Sequence, residues 1–228
     1  DIKIHAIAVP VNKSLMNDQS MQGDLTLDIK PFNSQMLHGV KILLKNFNPL
    51  FLHQNAPNAQ LNVDINIGNK VGNNVKNKDT SELLLSGKID IQNAIPLNID
   101  KNGLPFSSIV STISMSEKHI ELSQAKVILG SGSIIGAIAV YWDGSQLKRI
   151  SSSLSLSDIN LLSIDSRLHK TSIQGAVHAQ NKSPQKIDIQ ANLKDPKASL
   201  TLSSHLLFNS DYRPTKLRLD EFKLASVN

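Results

Sequence analysis

Apolar and polar residues alternate with period two along most of the chain. Leu61-Asn62-Val63-Asp64-Ile65-Asn66-Ile67 is the cleanest case, and Leu25–Ile29 and Leu85–Ile91 repeat the style. Strict alternation marks a strand with one face toward a core and one toward water. The same pattern predicts strands over Ile109–Met115, His119–Leu129, Ser133–Trp142, Gln146–Leu156, Ser172–Gln180, Lys186–Leu193, Ala198–Phe208 and Pro214–Leu224. Asp143-Gly144, directly after Trp142, has the chemistry of a turn between antiparallel strands. No window keeps apolar residues at three-four spacing beyond about two turns, so the chain reads as all-β. A longer unit also recurs. Phe47–Leu52 and Ile159–Ile164 are apolar knuckles carrying one Asn, each followed by a polar linker and a strand, Leu61–Ile67 and Ile173–Ala179. The offset is 112 positions in both members (47 to 159, 61 to 173). Such a repeat points to an extended array of β-units. The knuckles are expected to be single helical turns capped by Asn48 and Asp158.

A sheet apolar on one face must cover that face. With helix signals scarce, two solutions remain. One is an elongated, strongly curved one-sided sheet that forms a U-shaped trough. The alternative is a β-sandwich with a filled core. The paucity of aromatic residues, one Trp, two Tyr and six Phe, leans toward the trough, since a sandwich core of this size usually holds more large aromatic fillers. Gly87, Gly136 and Gly175 interrupt strands. They serve either sheet curvature or close approach of an acyl chain to bare backbone, and curvature is the expected role. Residues 1–228 are expected to form one continuous β-array cut from a longer protein, with a possible loop boundary near 68–80, where the sequence is polar and Asn-rich.

Composition removes several function classes. There is no Cys, hence no disulfide framework and no thiolate chemistry. The net charge is +5, but the 24 Lys and Arg are scattered, and the few aromatics are dispersed, so no nucleic-acid partner is expected. The longest apolar run, Ile134–Trp142, is too short for a membrane helix. Asp1-Ile2-Lys3-Ile4 does not have the form of a signal peptide. Gly130-Ser131-Gly132-Ser133 precedes a strand where a dinucleotide fingerprint needs a helix, so it reads as a hairpin. Ser183-Pro184-Gln185-Lys186 has the Ser-x-x-Lys spacing of acyl transferases without their partner motifs, and reads as a turn. The seven His residues have no metal-ligand spacing, and His119 and His178 are expected on polar strand faces. No catalytic set, metal or cofactor is expected.

A more specific pattern runs through Gly87–Asp143. It holds the strand Gly87-Lys88-Ile89-Asp90-Ile91, the bend Asn93-Ala94-Ile95-Pro96, then Asp100, Gly103-Leu104-Pro105-Phe106 and His119-Ile120-Glu121-Leu122. The hairpin Val127-Ile128-Leu129-Gly130-Ser131-Gly132-Ser133-Ile134-Ile135-Gly136 follows. In order and spacing this segment resembles the TamB family, the inner-membrane-anchored subunit of the translocation and assembly module of Gram-negative bacteria. Leu156–Leu168 with Ile173-Gln174-Gly175 resembles it too. Ile95, Pro96 and Leu97 depart from the family's usual arrangement of Gly and Pro at the bend.

The resemblance implies a periplasmic β-taco, in a protein whose membrane anchor lies outside this chain. It implies phospholipid acyl chains as cargo, moved between inner and outer membranes in support of outer-membrane biogenesis. It also implies an outer-membrane partner barrel of the Omp85 class, reached through the full-length protein. The alternative function is a chaperone-like module that binds unfolded outer-membrane strands. On the trough reading, alternation assigns the lipid lining to Leu25, Leu27, Ile29, Leu61, Val63, Ile65, Ile67, Leu85, Ile89, Ile91, Ile173, Val177, Ile187 and Ile189. A sheet of this kind has free first and last strands, so edge-to-edge self-association is expected near Ile2–Val9 or Lys216–Leu224.

Overall fold

The computed structural model describes residues 2–8, 21–29, 37–69, 85–144, 146–183, 185–208 and 214–226. They form one sheet of 13 strands whose spatial order is the sequence order, every neighbouring pair antiparallel. The strands are β1 (Ile2–Ala8), β2 (Gln22–Ile29), β3 (Leu37–Phe47), β4 (Leu61–Asn69), β5 (Leu85–Asn93), β6 (Phe106–Met115) and β7 (His119–Leu129). Then come β8 (Gly132–Asp143), β9 (Gln146–Ile159), β10 (Ile173–Ser183), β11 (Lys186–Asp195), β12 (Ala198–Phe208) and β13 (Pro214–Ser226). β1 and β13 do not pair with each other, so the sheet is open. Substantial contacts run only between consecutive strands. There is one sheet where a sandwich needs two.

The strand bounds follow the alternation closely, and β7 and β12 coincide with the expected ranges. β3 was not legible. Its run Ile42-Leu43-Leu44 breaks the alternation because Leu43 lies on the polar face, between Asp24 and Asp64. Most of the loop expected near 68–80 falls in 70–84, outside the described residues. β4 and β5 on either side of it are paired over nine residues.

The sheet is elongated and curved, and the cause of its curvature is local. β-bulges lie in mid-strand between β6 and β7 and between β7 and β8, where Gln124 takes φ 52°. Another interrupts β12 and β13 at Ser203/Ser204. Each inserted residue bends its strand and raises the local twist. Glycine allows the closest approaches. A Cβ on Gly136 would stand 2.0 Å from the Ser153 carbonyl oxygen, and one on Gly87 1.9 Å from that of Asn66. Neighbouring backbone occupies that space, so these glycines serve curvature and do not bare the backbone to a ligand. The accessible surface is 15026 Å², against about 10,000 Å² for a compact monomer of this mass.

Two measurements check this architecture. Small-angle scattering is expected to give a radius of gyration well above the ~17 Å of a compact chain of this length. A value near 17 Å with a symmetric distance distribution contradicts the open sheet. Gly136→Ala is expected to lose about 2 kcal/mol in urea unfolding. Gly68→Ala, whose Cβ meets nothing closer than 3.9 Å, is expected to stay within about 0.5 kcal/mol.

Candidate functional site: an apolar groove with a knuckled rim

Antiparallel register places residues of one face directly opposite each other, where they interact as cross-strand pairs. Tracing these pairs from β4 to β13 gives a continuous row: Val63, Ile91, Ile109, Val127, Ile134, Leu156, Gly175, Leu193, Leu200, Leu224. Every member is apolar or Gly. A second row holds Ile65 and Ile89 and ends on Leu202 and Phe222. A third holds Ile67, Ile113, Leu122, Ile138 and Ile189, and a fourth Leu85, Met115, Ile120, Val140, Ile150 and Ile187. At about 4.8 Å per strand, the ten strands from β4 to β13 carry such rows over roughly 43 Å.

All fourteen expected lining residues lie on this face. Leu61, Ile67, Leu85 and Ile187 are buried and the other ten are half-buried. Leu85, only 1% exposed, packs with Ile67 and Ile113 and belongs to the floor of the groove. The list missed the middle of the groove, above all Ile109, Ile113, Val127, Ile134, Ile138, Leu154 and Leu156. The alternation of β6 to β9 was the available signal for them.

The opposite face carries Asn62, Asp64, Asn66, Lys88, Asp90 and Gln92, all exposed, and the serines Ser151, Ser153, Ser155 and Ser157 of β9. His119 and His178 also lie there. Val110 and Ile135 are its exposed apolar exceptions. Polar residues enter the apolar face at Ser111 in the second row and at Ser152 and Ser204 in the third. The buried Ser111 hydroxyl shares its hydrogen between the carbonyls of Ser123 and Thr112, 3.1 Å from each.

One rim of the groove is walled by three single 3-10 turns: Pro49–Phe51, Ile99–Lys101 and Leu161–Ser163. They sit in the β3–β4, β5–β6 and β9–β10 connections, which a meander brings to the same end of the sheet. Asn48 caps the first turn through Leu50 N, as expected. The third is capped by Asn160 through Leu162 N, not by Asp158. Asp158 lies before the turn, in β9, with φ 53° beside the register shift opposite Ile173 and Gly175. The middle turn was not read from sequence, which placed a bend earlier, at Asn93-Ala94-Ile95-Pro96.

Buried Asn93 locks that middle connection. Its Oδ1 accepts from Gln60 N and Ile95 N, and its Nδ2 donates to the Leu104 and Phe106 carbonyls. The three knuckles are tied to one another. Asn102 Nδ2 donates to the Ala56 carbonyl, Asn98 Nδ2 to that of Leu162, and Ile99 N to that of Ile164. Ser166 donates to Asp100 through both its amide and its hydroxyl, which lowers the Asp100 pKa. Hydrogen bonds from Arg167 hold Asp165 down at about 2. Beneath this wall Leu61, Leu129 and Ile159 are buried at the strand ends.

No family model, curated protein or solved structure matches the chain. Among the described residues, no group of three or more His, Cys, Asp or Glu is placed to hold a metal ion, and no helix is long and apolar enough to cross a membrane.

Asn93→Ala removes an amide that satisfies four partners in the interior. It is expected to cost about 3 kcal/mol in chemical denaturation, the range for buried polar groups left unpaired. Asn98→Ala, on the exposed side of the wall, is expected to cost less than about 1 kcal/mol. Equal losses would show that the knuckles do not depend on the Asn93 lock.

Proposed function

We propose that this chain is a segment of an apolar trough that spans the periplasm and moves phospholipid between the inner and outer membranes of a Gram-negative bacterium. The observation that carries the reading is the set of apolar rows, the first of which is apolar or Gly at every strand from β4 to β13, uncovered by a second layer among the described residues. An acyl chain laid along a row removes its own surface and that of the lining from water, at about 0.8 kcal/mol per buried CH₂. Each step to the next strand meets similar Ile, Leu and Val chemistry, so a chain can slide without crossing a specific site. Head groups stay hydrated, because the lining is dominated by Ile, Leu and Val and the Ser111 hydroxyl is already engaged with backbone.

The resemblance of Gly87–Asp143 to the TamB family supports the same reading. It adds an inner-membrane anchor outside this chain and an Omp85-class barrel as the partner of the full-length protein. The activity is transfer and not catalysis. A second reading, a chaperone-like module that holds an unfolded strand by β-augmentation, draws on the free edge of β13.

Native mass spectrometry of the purified chain separates the two. Phospholipid is expected to copurify, and bound polypeptide without lipid overturns the conduit. Photo-crosslinking residues at Ile65 and Ile138 are expected to capture lipid in cells, and those at Asp64 and Asp90 are not. Equal capture on both faces would contradict a one-sided path.

A further inference from the structure

From β7 to β12 the two middle rows of the groove share a second pattern. Each of these strands places one large and one small residue there. The small ones are Ala125 and Gly136 in the second row, Ser152 and Ala179 in the third, then Ala191 in the second and Ser204 in the third. Ala125 lies directly opposite Gly136, and Ser152 opposite Ala179. The other steps are diagonal, the next-nearest spacing across a strand pair. The first and fourth rows on either side carry Ile, Leu or Val at every one of these strands but β10. The result is a trench one side chain deep that runs for roughly 24 Å at about 4.8 Å per strand.

Ser204 adds chemistry to that shape. Among the described residues the buried serines are Ser111, Ser116 and Ser204. The Ser111 hydroxyl is held by two carbonyls, and that of Ser116 by the His119 ring, 2.7 Å away. The Ser204 hydroxyl bonds no described residue, although Ser204 is only 5% exposed. It faces the groove between Ile189 of β11 and Leu219 of β13. His205, next in the chain, turns to the opposite face and bonds Asp220 there. A buried hydroxyl without a partner carries a cost that a bound acceptor removes. Apolar surroundings favour a neutral acceptor over a charged phosphate, whose burial would cost far more.

We propose that the trench seats one acyl chain of the phospholipid, and that Ser204 donates its hydroxyl hydrogen to the ester carbonyl at the head of that chain. This site presupposes the lipid reading and adds to it one point at which the lining is not uniform. From Ser204 the chain runs over Ala191, Ala179 and Ser152 toward Gly136. Hydrocarbon passes the hydroxyl without bonding it, so only the ester end comes to rest there. The charged head group beyond the ester points out of the open groove into water.

Two lipids with the same head group and chain length test the site: a diacyl phosphatidylglycerol, and its dialkyl ether analogue, which has no carbonyl. Equilibrium binding to the purified chain is expected to favour the ester lipid about fivefold, the scale of one neutral hydrogen bond. In Ser204→Ala the two lipids are expected to bind equally, with the affinity for the ether lipid unchanged. The melting curve of the lipid-free variant is expected to match that of the parent, since only an unpaired hydroxyl is lost. Ser152→Ala, at a half-buried position, is expected to keep the preference. Ala179→Leu fills the trench and is expected to weaken both lipids alike, about fourfold for each CH₂ displaced. Equal binding of the two lipids by the parent chain, or a preference that persists in Ser204→Ala, overturns the ester site and leaves the lipid reading standing. Unchanged affinity in Ala179→Leu overturns the trench. Binding of neither lipid overturns the lipid reading and this site with it.

Discussion

The structure depends on one constraint: a single sheet carries two chemically different faces, and among the described residues no second layer covers the apolar one. In a flat sheet the two faces would be equally accessible. Here the apolar positions of β4, Leu61, Val63, Ile65 and Ile67, are buried or half-buried, while the intervening Asn62, Asp64 and Asn66 are exposed. Curvature makes that difference. Bending the strands toward the apolar face brings Ile, Leu and Val from neighbouring strands together, so the lining covers part of itself. The mid-strand bulges and the glycines at 87, 136 and 175 permit the bend, because a side chain at those glycines would collide with neighbouring backbone.

The two long rims differ in construction, and that gives the groove a sense of side. On the knuckle rim the β3–β4, β5–β6 and β9–β10 connections are long, cross-tied by asparagine amides and walled by 3-10 turns, while β7–β8 and β11–β12 are joined by two-residue turns. Of the opposite rim, the described β6–β7 turn at 116–118 is short. Along the first row one kind of chemistry repeats from strand to strand, the sameness that the proposed conduit requires.

Sequence carried the strands well because alternation is a local signal, and a one-sided sheet makes it strong. It failed where local signals conflict. β3 was hidden because Leu43 places an apolar residue on the polar face. The cap of the third knuckle was assigned to Asp158, a good capping residue by type, whereas the turn begins two residues later and uses Asn160. The fourteen lining residues were read strand by strand and all share one face. Their alignment into rows was beyond reach, because register depends on bulges whose positions are fixed by tertiary pairing. The Asn93 lock was only partly visible: the bend Asn93-Ala94-Ile95-Pro96 marked its place, but its partners Gln60, Leu104 and Phe106 come from both sides of it in the chain.

The most direct test of an uncovered apolar face is a charge placed on it in the middle of the sheet. Ile138 lies on a central strand, faces the groove and is 37% exposed. In an open groove, water or the polar end of a ligand can hydrate a carboxylate there. Urea unfolding of Ile138→Asp is expected to show a loss of about 1–2 kcal/mol, the scale of β-propensity plus some lost packing. A loss above about 4 kcal/mol, or failure to fold, is the signature of an unpaired charge in a closed core. That result would mean that a second layer covers this face and that the open groove is wrong.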